Sequence, residues 1–527
     1  MRLTRLGIQL TTNFGYRGYK KRVVRWPTLV ALVASLGLAA PLLSAAASAQ
    51  PLGSREPGLP PGLQPRLVNA TSQPNFVLGE PEVAVNPKNP NNLVYVATQL
   101  AETPNCISNP ANPNHANCQN VMTVFGPQPA GLINDVPGFS PNGIFVSFNR
   151  GFTWRSVTVP TLPPPCPSPS MCTDPTGFLQ GGDPEITAGP NGTFYFGEDV
   201  VHFATGFGPP NPGTIAQDAG IATSVSTDGG LTWSTPVLSG TAADRPFITT
   251  DASTGTVYIE SGAGPLGSGS TANPDSPNTA PAGRYLVASS DGRHWTSPEP
   301  LPAGVSGPYI SAANGEFVTG GRSTSTTVCG GQAACELLET TPNNGATWSH
   351  FPVPNSSDSP GGGGGPLVAA DPTRPGHITV AFLNRANTSL TVLQTHDGGN
   401  TWSTPTSVAE NANIHWKPWM AYGPDGTLGL MWRTWTGAAN TSSYNVWAAI
   451  SFDGGSTFTK PLEVSNGDSP PPNSALTFPT FADDFSNITL DRQDAFIAWA
   501  DWRPGGGTQR QGFISEVKLQ AFEFSDR

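Results

Sequence analysis

The chain is 527 residues long, with 12% charged side chains, 60 Gly, 56 Pro and a formal net charge of −11. Gly and Pro together exceed one residue in five, which excludes a mainly helical protein, because in a helix interior they cost about 1 and about 3 kcal/mol against Ala. Thirteen Trp, 25 Phe and 9 Tyr exclude a solvated, disordered chain and leave many short strands joined by tight turns.

Residues 1–49 stand apart from that composition. Arg2, Arg5, Arg17, Lys20, Lys21, Arg22 and Arg25 precede an apolar run from Leu29 to Leu43, and Ala47-Ser48-Ala49 gives a small-x-small cleavage pattern before Gln50. This pattern predicts a secretory signal and an extracellular protein. The alternative is an uncleaved anchor, since Pro27 to Ala49 is nearly long enough to span a bilayer. Cleavage would leave 19 Lys/Arg against 37 Asp/Glu, a balance of −18 that repels nucleic acid and anionic lipid. Neither nucleic acid nor, after cleavage, a membrane is an expected partner, and a monomer is expected.

Residues 50–79 begin as a Pro/Gly-rich lead. Six cysteines then fall as three local pairs, Cys106/Cys118, Cys166/Cys172 and Cys329/Cys335, none with the C-x-x-C spacing of a zinc or redox site. Sequence-adjacent disulfides closing loops are the simplest pairing and agree with export. Gly264 to Ala282 and the run Gly361 to Gly365 read as mobile insertions.

Two repeated units organise residues 80–527. The first is Ser/Thr-x-Asp/Asn-x-Gly-x-Thr-Trp/Phe, built around Asn149, Asp228, Asn343, Asp397 and Asp453, with a copy one residue shorter at Asp291. Each is a hairpin turn in which Asp accepts backbone N–H bonds, Gly takes the positive-φ position and the aromatic residue packs beneath. The second is a hairpin starting Pro-hydrophobic-x-hydrophobic, at Pro81, Pro184, Pro246, Pro308, Pro366 and Pro418, with a copy lacking Pro at Phe485. Each of the first six hairpins is followed by one turn motif, so the unit is four antiparallel strands, the size of a propeller blade. The prediction is an all-β propeller of seven blades, with six as the alternative if one is incomplete. Gly512 to Phe524 should supply the remaining strands of the seventh, with Leu67-Val68 or Phe76-Val77-Leu78 closing the ring.

Written out, the turn motif is the Asp box of sialidases, the BNR repeat. The chain resembles a secreted bacterial member of the sialidase-like propeller superfamily from Glu80 to Phe524. Asp boxes occur in catalytic and non-catalytic propellers alike, so the resemblance speaks first to fold.

Antiparallel connectivity places residues on faces. With the boxes between the third and fourth strands, function belongs on the opposite side, just before the first strand or just after the second. Those positions hold Glu80, Asp183, Glu198, Asp199, Asp244-Arg245 and Glu260 on one arc, then Arg322, Arg385, Arg433 and Arg503, with His415/Lys417, Asp483-Asp484 and Asp501. An arginine arc suits a carboxylate by bidentate hydrogen bonds, and a carboxyl from the acidic arc suits acid/base work. The resemblance implies the same division: arginines on the sialic acid carboxylate, an Asp acid/base and a Tyr–Glu nucleophile. Hence Arg245, Arg322, Arg385, Arg433 and Arg503 are the candidate ligand-binding residues, and Asp183, Glu198 and Asp244 the candidate acid/base residues. The competing reading is that the arginines pair with neighbouring acids and only stitch the ring.

The family's Phe/Tyr-Arg-Ile-Pro segment is not found; Asp244-Arg245-Pro246-Phe247 stands on the third hairpin instead. The last blade, where the nucleophilic Tyr would be sought, begins Asp484-Phe485-Ser486. Tyr309 and Tyr444 fall on the funnel side and are the substitutes. Trp416, Trp419, Trp432 and Trp435 could stack on sugar rings, with core packing the simpler role. The scattered histidines imply no transition-metal site, and no cofactor is implied; calcium in the Asp/Asn-rich loops stays open. The sequence thus points to an exo-acting glycosidase for an acidic sugar, or to a non-catalytic propeller that binds a glycan or protein.

Overall fold

A computed structural model describes residues 58–73, 77–100, 142–158, 178–180, 183–202, 217–239, 246–263, 283–360, 365–409, 413–438, 441–471, 485–504 and 510–526. These lie in one compact unit, Ala46–Arg527. The predicted signal segment, Cys106, Cys118, Cys166, Cys172, Asp244, Arg245, Asp483, Asp484 and the insertions at 264–282 and 361–364 lie outside the described residues.

The strands form seven antiparallel sheets, each a blade. Blade one is β2 (Val77–Val85), β3 (Leu93–Leu100), β4 (Asn142–Ser147) and β5 (Arg155–Val157). In blade two, β6 (Phe178–Gln180) and β7 (Glu185–Ala188) both pair with β8 (Phe194–His202), followed by β9 (Gln217–Ser226) and β10 (Val237–Leu238). Blade three is β11 (Phe247–Thr250), β12 (Val257–Ala263), β13 (Gly283–Ser289) and β14 (Glu299–Pro300); blade four is β15 (Val305–Ala313), β16 (Glu316–Ser323), β17 (Cys335–Thr341) and β18 (Ser349–Pro352). Blade five is β19 (Leu367–Ala370), β20 (Ile378–Leu383), β21 (Leu390–Thr395) and β22 (Thr406–Ser407); blade six is β23 (Ile414–Tyr422), β24 (Leu428–Trp435), β25 (Tyr444–Ser451) and β26 (Leu462–Glu463). Blade seven joins β27 (Asn487–Leu490), β28 (Asp494–Asp501) and β29 (Gln511–Lys518) to β1 (Arg66–Asn69), so the N-terminal strand supplies the outer edge of the last sheet. The innermost strands β2, β7, β11, β15, β19, β23 and β27 each pack on the next, and β27 packs back on β2.

The Asp box explains why these turns form where they do. Ser226 Oγ accepts from Gly230 N at 2.9 Å, Asp228 Oδ1 accepts from Thr232 N at 2.9 Å, and Trp233 Nε1 donates to Gly230 O at 2.9 Å. Asn149, Asn343, Asp397 and Asp453 accept the same backbone bond four residues on, whereas in the shorter copy Asp291 accepts from His294 N, three residues on. Gly230 has φ +92°, and a Cβ there would lie 2.7 Å from Val94 Cγ2, so only glycine lets the box of blade two close on blade one.

The apolar core is divided between blades. Val94, Val96 and Ile144 of blade one pack with Phe194, Phe196 and Trp233 of blade two, all buried. Each such side chain contributes about 1.5–3 kcal/mol on burial. The C-terminal segment departs from expectation: after β29 it forms a helix, Leu519–Ser525, rather than more strand. Leu519 and Phe522, three apart, place one helical face in the core of blades six and seven. Cys329 and Cys335 form a disulfide. Among the described residues, no helix is long and apolar enough to cross a membrane.

Candidate functional site

Strand register puts one residue of six of the seven inner strands at a common level. Glu82 pairs with Val96, Glu185 with Gly197, Phe247 with Glu260, Leu367 with Ala381, Trp419 with Met431 and Asn487 with Ala498. Tyr309 of blade four and Trp419 of blade six meet edge-on at 5.4 Å, and Phe247 of blade three and Phe485 of blade seven at 5.9 Å. Both pairs join blades that are not neighbours in the ring, so among the described residues these aromatic rings meet across the hub. The polar members of the level, Asn487, Glu82 and Glu185, come from consecutive blades seven, one and two.

These three side chains tie the inner strands together. Asn487 Oδ1 accepts from Val83 N at 3.0 Å while its Nδ2 donates to Val83 O at 3.0 Å. Glu82 Oε2 accepts from Ile186 N at 3.3 Å, and Glu185 accepts from the Ile248 backbone N–H of blade three. Glu82 and Glu185 also hydrogen-bond to each other. Both are buried, and neither Oε1 has a hydrogen-bond donor facing it. A hydrogen bond between two carboxyls requires a proton on one of them, and burial of both favours it. Burial pushes Glu82 up to about 8, and burial together with the Glu82 charge raises Glu185.

Immediately before each of these acids the chain takes the same unusual turn. Glu80 has φ +50° and Asp183 φ +40°, each followed by Pro and then by the paired Glu. A non-glycine residue at positive φ ahead of proline is strained. Here it coincides with the bulge in β2 between Gly79 and Glu82 and with the break between β6 and β7. Glu80 Oε2 accepts from Thr98 Oγ1 at 2.7 Å. Asp183 is 8% exposed, and its charge contributes to raising Glu185. Glu198, also buried, accepts from Asn142 Nδ2 at 2.8 Å, a contact from blade one to blade two. Glu260 is held by Arg284 Nε at 2.8 Å and Thr319 Oγ1 at 2.8 Å, while Asp199 is buried on β8.

The arginines are placed less uniformly. Arg322 Nη1 donates to Glu336 Oε1 at 2.5 Å and to Ser359 O at 2.9 Å. Arg503 donates to Asp501 through Nε and Nη2, the latter at 2.6 Å. Arg433 is 2% exposed, its guanidinium 5.9 Å from the Tyr444 ring centre. Arg385 is the exposed one: its side chain is 66% exposed and reaches Asp358 at only 3.8 Å. Tyr309 is buried, and buried Tyr444 donates its hydroxyl to Ala500 O. Phe485 is buried at the start of blade seven. Trp432 and Trp435 are core residues, Trp419 is partly buried, and the Trp416 side chain lies outside the described residues.

Glu82, Glu185, Arg284 and Arg510 were not among the sequence candidates. The signal for the first two was the repeated acid-Pro-Glu tripeptide at Glu80 and Asp183. Arg510 is buried, donates to Leu78 O at 2.5 Å and lies over the Trp502 ring at 5.3 Å. A Cβ on Gly79 would fall 2.2 Å from its Nη2, so the arginine passes directly over the residue before Glu80.

Residues 213–468 match the family described as BNR repeat-like domain. That stretch is thus BNR-repeat-like, and it lies within a β-propeller of seven four-stranded antiparallel blades with box turns. Similar solved structures include a protein of unknown function from Dyadobacter fermentans, 16% identical over 65% of this chain and 95% of that chain, with a TM-score of 0.40. Another is the NanB sialidase from Streptococcus pneumoniae, 10% identical over 87% and 84%, with a TM-score of 0.38. A third is an α-L-arabinofuranosidase from Fusarium graminearum, 14% identical over 69% and 98%, with a TM-score of 0.34. At such scores these likenesses decide nothing about the site. No curated protein matches the sequence.

Proposed function

We propose that the protein is an exported glycoside hydrolase of the sialidase-like type that removes an acidic sugar from a glycan. The supporting observation is the carboxyl cluster at the inner edge of blades one and two: Asp183 at positive φ, two residues before Glu185, which neighbours Glu82, all three buried. Glycoside hydrolysis calls for a carboxyl that gives and takes a proton beside the scissile bond, with a second group on the sugar. Asp183 is the acid/base in this reading. Glu80 and Glu198 are the partners within the same arc, and Asp244 is a further acid of the same rim in sequence. Arg322, Arg385, Arg433 and Arg503, with Arg245, are assigned to the substrate carboxylate, Arg385 being the member best able to swing onto it. The predicted signal segment and the Cys329–Cys335 disulfide support export.

The test is turnover of fluorogenic sialosides and uronides across acid to neutral pH by the full chain and by Asp183→Asn. Release by the parent and a loss of about 10²–10⁴-fold in the variant are expected. No release from any of them by the parent overturns the reading. A second reading, glycan binding without hydrolysis, is favoured by the engagement of Arg322 with Glu336 and of Arg503 with Asp501 and by Phe485 at the head of blade seven. Under it, the same glycans bind, remain intact, and bind equally well to Asp183→Asn.

A further inference from the structure

Between the outer strand of blade five and the sheet of blade six lies a cavity of about 540 Å³, lined by residues including Thr406, Asn413, Trp432, Thr434, Trp447 and Phe458. Its volume falls within the ~300–1,000 Å³ usual for small-molecule sites. None of its lining residues is charged. Trp432 and Trp447 are cross-strand partners on β24 and β25, so their rings stand on the same face of blade six. Trp432 is buried in the core, whereas Trp447 and Phe458 are only partly buried and present aromatic surface.

The polar groups of the cavity are already oriented. Trp447 Nε1 donates to Thr434 Oγ1 at 2.9 Å, and Ile450 N donates to Thr459 Oγ1 at 3.1 Å, so each threonine accepts a bond and retains its hydroxyl proton. Asn413 Nδ2 donates to Trp435 O at 3.2 Å and Gly437 O at 2.6 Å, which uses both amide hydrogens and leaves Oδ1 as the group's acceptor. Aromatic faces with two hydroxyl donors and an amide acceptor, and no charge, complement a ring that is apolar on its faces and hydroxylated around its edge. We infer that this cavity is a second carbohydrate site, separate from the hub, that binds a neutral pyranoside by stacking on Trp447 and Phe458. This placement does not depend on the hub being catalytic.

The experiment uses the full chain and a panel of neutral methyl glycosides, the gluco, galacto, manno and N-acetylglucosamine pyranosides with their β-linked disaccharides, read by saturation-transfer NMR and tryptophan fluorescence. At least one should bind, with affinity reduced fivefold or more in Trp447→Ala, partly restored in Trp447→Phe, and unchanged in Asp183→Asn. If Trp447→Ala does not fold, Asn413→Ala serves and should weaken binding at least twofold. The inference is overturned if no panel member binds, if binding is indifferent to both substitutions, or if only an apolar dye enters the cavity. Because Asp183→Asn is scored in the same titration, a failure at this cavity is distinguishable from a failure of the hub chemistry.

Discussion

The shared proton between Glu82 and Glu185 has a measurable thermodynamic consequence. A carboxyl whose folded value is raised favours the folded state fully below its unfolded value and loses that advantage as pH climbs to the folded value. For Glu82 the window runs from 4.5 to about 8. Each pH unit in it is worth about 1.4 kcal/mol, so the folded state should lose up to about 5 kcal/mol between pH 4.5 and 8 from this pair. With an unfolding entropy of roughly 2.1 cal/mol/K per residue, a unit spanning Ala46–Arg527 would respond with a fall in Tm of roughly 5 °C. Glu82→Gln replaces the proton by an amide that donates to an ionised Glu185, while its oxygen still accepts from Ile186 N. The variant should therefore lose the slope, and at pH 8 it should melt above the parent by a few degrees. Calorimetry of both proteins at half-unit pH steps is the assay. Parallel Tm–pH curves for parent and variant would refute the shared proton.

Arg322→Ala strands the buried Glu336 carboxylate and should cost about 3–5 kcal/mol in denaturant unfolding, whereas Arg385→Ala, removing a side chain 66% exposed, should change stability by less than about 0.5 kcal/mol. Asp228→Ala removes two bonds from Thr232, at 2.9 and 2.6 Å, and should cost about 1.5–3 kcal/mol by the same measurement; a neutral result would mean that the box does not close the turn. Cys329→Ser with Cys335→Ser opens a short loop and should leave the fold intact, lowering stability by at most about 2–4 kcal/mol in non-reducing urea titration.

What could be read in advance was local. The box turns were legible because Asp, Gly and Thr satisfy one another within five residues, and their spacing carried the blade count. Closure of blade seven was harder: Arg66–Asn69 is four residues long and meets β29 from the far end of the chain with no turn to announce it. At the C-terminus, Phe522 and Phe524 alternate as strand residues do, but Leu519 and Phe522 share a helical face, and the chain is helical there. In the site, connectivity placed Glu80, Asp183 and Glu198 toward the mouth. It could not give partners, which depend on register between strands: Arg322 faces Glu336 across β16 and β17, and Glu260 faces Arg284 through neighbouring residues of β12 and β13. Glu82 and Glu185 each occupy a strand position that reads as framework, and only the packing of blade one on blade two makes them a pair.

The pairing of the arginines also sets how an anion would have to be recognised. Glu336 is fully buried, so pulling Arg322 away to meet a ligand would leave a desolvated carboxylate unpaired, at a cost of several kcal/mol. Arg503 is bound in the same way to Asp501, which is also fully buried. These guanidiniums therefore serve a ligand only in place, through N–H groups not directed at their acids. Arg385 is under no such constraint, because its contact with Asp358 joins two well-exposed groups, and such a pair is worth about 0–1 kcal/mol. On the proposed reading, an acidic sugar would have to be met by Arg322 and Arg503 in their paired positions and by an exposed Arg385 on blade five. Loss of Arg385 should raise KM more than it lowers kcat, whereas loss of Arg322 should first be visible as loss of folded protein.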